Sequence, residues 1–151
     1  MEINKFNNGY SYLSNFYVGQ PIIFQGIEFL SAEHLFNALK TRDPGEAQYV
    51  IAANTAAEAK SRGRSVTLRD NWDSAERYIA MQRTLGAKFI GSRDLAEGLV
   101  QTGYNHLTEG NTWHDNVWGD CTCGRPACNY PGENYLGKML MELRADLKKW
   151  L

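Results

Sequence analysis

The chain has no long apolar run, no surplus of either charge and too few cysteines for a disulfide framework. Each shortage narrows what it does. No apolar stretch approaches the ~20 residues that a membrane-spanning helix needs. The opening residues, MEINKFNNGYSYLSNF, lack the basic segment and following apolar core of a secretion signal. The expectation is a cytoplasmic protein with no membrane partner. Sixteen Lys and Arg stand against 17 Asp and Glu, a formal charge of −1, so no global basic field attracts nucleic acid and any anion must be held by a local cluster. The three cysteines, Cys121, Cys123 and Cys128, are odd in number and crowded together, and Cys121 is poorly placed to bridge Cys123, so reduced thiols are expected. Also missing are the Gly-x-Gly-x-x-Gly fingerprint, the phosphate loop and the Gly-x-Ser-x-Gly elbow.

What is there fits one domain over residues 1–151, because two independent cores in 151 residues would each be marginal. Hydrophobic residues at 43% and charged residues at 22% are the balance of an ordinary globular protein. Four Trp in a chain that is 12% aromatic leave room for stacking surfaces. The first thirty residues read as strand and turn, with β-formers at Tyr10, Tyr12, Phe16, Tyr17, Ile22, Ile23, Phe24, Ile27 and Phe29, and Gln25-Gly26 suits a tight reversal. Ser31 offers an N-cap for a helix through SAEHLFNALK, Asp43-Pro44 a second start, and Asn54-Thr55 a third that Gly63 can close. Apolar steps of three and four from Asp73 to about Gly91 predict another helix, and Ser92 can cap RDLAEGLVQ. Residues 104–132 read as loop. Leu136, Leu140, Leu143, Leu147 and Trp150 form the apolar stripe of a last helix, with Glu142, Arg144, Asp146, Lys148 and Lys149 on its far face. The fold class is α+β, mostly helical, with a small N-terminal sheet.

Four groups of residues could carry chemistry. Glu33, Asn37 and Lys40 are spaced by four and three, which puts a carboxylate, an amide and an amine on one helix face. Spacing alone reads first as an ordinary solvated face. The stretches WHDNVWGDCTCG and PGENYLGK combine Asp115, Trp118, Gly119 and Asp120 with glycines that flank Glu133 and Asn134 at a helix start. Such a start is a place for an anion, and a Gly-rich connector with a buried Trp is the plainer alternative. Lys60, Arg62, Arg64 and Arg69 lie within ten residues and suit a phosphate, or a surface loop with scattered charge. Cys121, Cys123 and Cys128 with His114 supply enough ligands for a tetrahedral zinc. Their spacing is that of neither a ribbon nor a knuckle, and loop thiols without metal are common, so zinc would be a structural staple.

Taken in order, LSNFY (13–17), IIFQGIEFLSAEHLFNALK (22–40), GRSVTLRDNW (63–72), MQRTLGAKF (81–89), DNVWGD (115–120) and ENYLGKMLMELR (133–144) resemble the YbiA/NADAR family across nearly the whole chain. The second segment carries the S-x-E-H-x-F-x-x-x-K pattern of that family. The resemblance implies hydrolysis of N-glycosidic bonds to ribose, in phosphoribosyl-amine intermediates of riboflavin biosynthesis or in ADP-ribose attached to guanine. ADP-ribosylated nucleic acid is a candidate partner. It implies a pocket lined by Asn15, Phe16, Glu33, Lys40, Trp72, Asp115, Trp118, Asn134 and Gly137. The stretch CTCGRPACNYP departs from shorter members.

Cleaving C1′–N requires a protonated leaving group and stabilised positive charge at C1′. Glu33 is assigned as general acid/base and Asp115 as a positioning or charge-stabilising carboxylate. Lys40 is a candidate for Schiff-base capture of the opened sugar, beside direct attack by water. Trp72 and Trp118 are expected to stack on substrate, and Arg64 and Arg69 to contact phosphate. No cofactor is expected for catalysis. A non-catalytic module that binds ADP-ribose or a nucleotide is the competing reading.

Overall fold

Two residues at a reversal leave the backbone little choice, and Gln25-Gly26 is such a place. Both take positive φ, +51° and +79°, the pairing that matches the twist of a two-residue hairpin. The strands on either side pair Ile22 with Phe29 and Phe24 with Ile27, and bury Ile22 and Phe29. The computed structural model describes residues 1–151. In chain order it runs β1 (Glu2–Ile3), a 3₁₀ helix (Asn8–Leu13), β2 (Ile22–Phe24), β3 (Ile27–Phe29), α1 (Ala32–Ala38), α2 (Pro44–Ile51) and α3 (Ala56–Gly63). A π-helical turn (Trp72–Glu76), α4 (Arg77–Ile90), α5 (Arg93–Gln101), β4 (His106–Leu107), β5 (Gly110–Asn111), β6 (Asp120–Cys121), a 3₁₀ turn (Pro126–Cys128) and α6 (Tyr135–Leu147) follow. The class is α+β, as expected. Strand is not confined to the N-terminus, because β1 pairs with β4 and β5 with β6, each in parallel. The chain divides into two compact units, Asn15–Arg93 and Met1–Ser14 with Asp94–Leu151.

In the Asn15–Arg93 unit, each helix starts where its capping residue allows. Ser31 accepts the His34 N–H, Asp43 those of Gly45 and Glu46, and Thr55 that of Glu58. Ile22, Phe29, Ala32, Leu35, Ala38, Val50, Ala53, Ala59 and Val66 form its core. Burial of a side chain such as Leu35 contributes roughly 1.5–3 kcal/mol. His34 is fully buried, with Nε2 2.9 Å from the Ala53 carbonyl and Nδ1 2.7 Å from the Ser31 hydroxyl. A carbonyl only accepts, so Nε2 carries the proton and Nδ1 takes that of Ser31. The ring is a structural strut with no free nitrogen. Gly63 abuts Asn37: a Cβ there would lie 2.0 Å from Asn37 Oδ1.

In the other unit, Leu95, Leu99, Leu107, Leu136, Leu140 and Leu147 are buried. Tyr10 and Tyr12 lie in the 3₁₀ helix and not in a strand. The Tyr12 hydroxyl donates to the Gly98 carbonyl at 2.8 Å, and a side-chain bond to α5 holds this segment without a sheet. Two residues depart from the amphipathic pattern read for the last helix. Trp150 lies beyond the helix and is 83% exposed. Arg144, assigned there to the polar face, is buried, and its guanidinium donates to Thr102 Oγ1 at 2.9 Å and to the Asn105 carbonyl at 2.8 Å. It fastens α6 to the turn after α5.

Candidate active site

The face that carries Glu33, Asn37 and Lys40 is not solvated. Glu33 is 9% exposed and Asn37 is completely buried. Burying a carboxylate is costly unless donors meet it, and Asn37 Nδ2 donates to Glu33 Oε1 at 2.9 Å and to the Glu33 carbonyl at 2.8 Å. The two bonds fix the amide and aim the carboxylate. At the head of α1 the Asn15 carbonyl accepts the Glu33 N–H at 2.9 Å, so the loop at Asn15 is tied to the backbone of the acid residue itself. Asn15 is itself buried. Its amide nitrogen makes only a contact of 3.3 Å to Met81 Sδ, and its Oδ1 has no partner.

Lys40 sits just past the end of α1, half-buried, with Nζ 5.8 Å from the centre of the Phe36 ring. Burial pushes its ammonium below the ordinary lysine range. Glu33 pulls it back up, Arg64 and Lys60 push it further down, and Asp73 opposes them. Lys60 in turn lies over Phe16, 5.8 Å from that ring's centre, and Phe16 is 43% exposed. Glu33, Lys40, Lys60 and Arg64 thus form one charged neighbourhood in the Asn15–Arg93 unit.

Trp72 and Arg69 occupy other ground. Trp72 is buried and packs on Phe36 with ring centres 5.4 Å apart, so it backs the wall that Lys40 lies against. A buried ring offers little face for the stacking expected of it. The Arg69 N–H donates to the Lys40 carbonyl at 2.7 Å. Its guanidinium, with Nε unpartnered, lines a small recess with Leu39, Trp72, Glu76, Ile79, Ala80 and Arg83. Arg64 and Arg69, expected to share a phosphate, therefore face different surroundings, and only Arg64 acts on Lys40.

The other unit holds Asp115, Trp118, Gly119, Asn134 and Gly137. Asp115 Oδ1 accepts the N–H groups of Val117 at 3.1 Å and Trp118 at 2.9 Å, which closes the turn and sets the Trp118 backbone. The half-buried Trp118 ring meets Tyr135 edge-on, centres 6.3 Å apart. The start of α6 is not the open anion site that the sequence suggested. The carbonyls of Asn116, Val117, Trp118 and Gly119 accept the N–H groups of Glu133, Tyr135, Leu136 and Asn134. Asn134, at φ +51°, accepts the Glu109 N–H at 3.0 Å and donates to the Leu107 carbonyl at 2.9 Å. A Cβ on Gly137 would meet the Leu107 carbonyl, and one on Gly119 that of Glu109, both near 2 Å. Asn134 and Gly137, expected as pocket lining, and Gly119, a substrate-binding candidate, are committed to close backbone packing. The same unit gathers His114, Cys121, Cys123 and Cys128, with ligand atoms all within 4.8 Å of one another.

The profile of the NADAR domain matches residues 3–148, drawing on both units. The chain belongs to the NADAR domain family. It resembles N-glycosidase YbiA from Shigella flexneri serotype 5b (strain 8401), 34% identical over 105 residues, and the same protein from Shigella flexneri at the same identity. The alignment covers 68% of this chain and 64% of each of those curated relatives, so the chain spans somewhat under two thirds of their length. The NMR structure of the E. coli protein YbiA superposes with a TM-score of 0.82 at 31% identity, over 99% of this chain and 85% of that one. Within this NADAR domain the sequence named Asn37 on the right face without giving it a task. Its i+4 spacing from Glu33 was the signal. Lys60 as a neighbour of Lys40 had no such signal, since it comes from a different helix.

Proposed function

We propose that residues 1–151 act as one N-glycosidase domain that cleaves the C1′–N bond between a ribose-phosphate or ADP-ribose moiety and an amine or nucleobase. The observation that carries this is the buried Glu33 carboxylate, held by Asn37 on the same face as a lysine whose ammonium is disfavoured. The names of the curated relatives and the nearly complete likeness to YbiA support the reaction class.

In this reading Glu33 delivers a proton to the leaving nitrogen, and the C1′–N bond breaks with its electron pair going to that nitrogen. The neutral Lys40 amine supplies the new bond to C1′ and gives its surplus proton to the Glu33 carboxylate. Ring opening leaves a Schiff base, and water then adds to C1′ and returns the free amine and the sugar. A lowered proton affinity of Lys40 is what this route requires, and direct attack by water on C1′ is the alternative that borohydride trapping distinguishes. Lys60 and Arg64 are suited to the phosphate, and Asn15 Oδ1 is an available acceptor for a ribose hydroxyl. In the other unit, Asp115 holds the turn that carries Trp118.

The test incubates purified protein with phosphoribosyl-amines and with ADP-ribosyl-guanine, identifies products by mass, and adds borohydride to trap an adduct on Lys40. Release of free amine or base, lost in Glu33→Gln, is expected. Wild type as inert as Glu33→Gln on both substrate classes, yet binding ADP-ribose tightly by calorimetry, would leave a binding module in place of the enzyme.

A further inference from the structure

We propose that His114, Cys121, Cys123 and Cys128 bind one zinc ion that clips together the loop between β5 and α6. The geometry is quantitative. With Zn–S near 2.3 Å and Zn–N of 2.0–2.1 Å, a regular tetrahedron sets each N···S distance at about 3.6 Å. His114 Nδ1 lies 3.4 Å from Cys128 Sγ, 3.6 Å from Cys123 Sγ and 3.9 Å from Cys121 Sγ. One imidazole nitrogen makes a single hydrogen bond, so hydrogen bonding accounts for at most one of these three approaches. A shared cation accounts for all of them.

The surroundings fit charged sulfurs. Asn116 Nδ2 donates to Cys128 Sγ at 3.4 Å and the Arg125 N–H to Cys123 Sγ at 3.5 Å, as outer partners of metal thiolates do. Asn116 Oδ1 also accepts the Cys121 N–H at 2.9 Å, so one buried amide orients two of the ligand-bearing residues. His114 takes a left-handed backbone, φ +71°, which costs a residue with a Cβ on the order of 1 kcal/mol. Ligation by its Nδ1 gives that conformation a purpose. Three thiolates and an imidazole are a soft donor set that favours zinc over magnesium or calcium. Four protein ligands leave no open position, so the ion is structural. It would pin the residue next to Asp115, and with it the turn that carries Trp118.

The decisive measurement is metal content of full-length protein purified under reducing conditions, without chelator or metal-affinity resin. About one zinc per chain is expected, falling to near zero in Cys123→Ser, a nearly isosteric change at the one half-exposed cysteine. Cobalt added to the reduced apoprotein should produce thiolate-to-metal charge-transfer absorption. A strong chelator should release zinc, expose three thiols to titration and lower the melting temperature. Near-zero zinc after growth in zinc-supplemented medium, together with a silent cobalt titration, overturns the proposal whether or not the variant folds. Iron at one per chain, or a disulfide among the three cysteines in the protein as isolated, overturns it as well.

Discussion

Asn37 decides where the Glu33 carboxylate points, and Lys40 lies one helical turn further on against Phe36. Glu33→Gln preserves the side chain's shape and removes the acid together with the charge that acts on Lys40, so turnover should fall by roughly 10²–10⁴-fold with little change in melting temperature. Measured kcat and thermal melts check both halves of that expectation. Lys40→Met should abolish borohydride trapping and also raise the melting temperature at neutral pH. The fold holds the Lys40 ammonium below its ordinary proton affinity, so the unfolded chain binds the proton more readily. Wild-type stability therefore carries a deficit at neutral pH that disappears as pH rises from the folded pKa through the ordinary lysine range. The advantage of Lys40→Met should shrink over that same interval, and melts taken across pH test the sign. For the wild type, turnover by the lysine route should rise with pH to an inflection below the ordinary lysine value. The Glu33–Asn37–Lys40 face was legible in the sequence because helical spacing alone aligns these residues. That the face is buried was not, since it depends on α3 and on the loop at Asn15, both distant in sequence.

Elements were read well where a single residue dictates the backbone. Gln25-Gly26, Ser31, Asp43-Pro44, Thr55 and the start of α5 all stand where turn and cap chemistry put them. The failures share a cause. Strands β1, β4, β5 and β6 are two residues long and pair across the chain, so no local periodicity announces them. The π-helical turn follows Asn71 in a left-handed conformation and merges into α4, which a pattern of three and four does not separate. The burial of Arg144 is not legible from spacing, because helical spacing gives a direction but not what waits there. Arg144→Ala removes the donor to the Thr102 hydroxyl and the Asn105 carbonyl, and should cost about 2–3 kcal/mol by denaturant titration. Gln25→Asn, at φ +51°, should gain a few tenths of a kcal/mol or more, because Asn takes the left-handed conformation more readily. Chemical denaturation resolves the difference.

Taken whole, the molecule has no charge surplus to attract a polyanion at a distance. Under the proposed function, recognition of phosphate would rest on a few cations such as Lys60 and Arg64, and the logarithm of KM for an ADP-ribosylated oligonucleotide should rise with the logarithm of salt with a slope of only about 1–2. Steeper dependence would point to an extended nucleic-acid footprint. The family likeness was readable over most of the chain because six segments keep their order. The packing duties of Asn134, Gly119 and Gly137 were not readable, because a glycine that admits a ligand and one that admits a carbonyl look alike in sequence. The contact between Gly63 and Asn37 reaches further than its size suggests. Any side chain grown at position 63 must shove the amide that holds the Glu33 carboxylate, so under the proposed function turnover would be hostage to a helix end that bears no reactive group. Saturation mutagenesis would pick out residue 63 as if it belonged to the reaction centre.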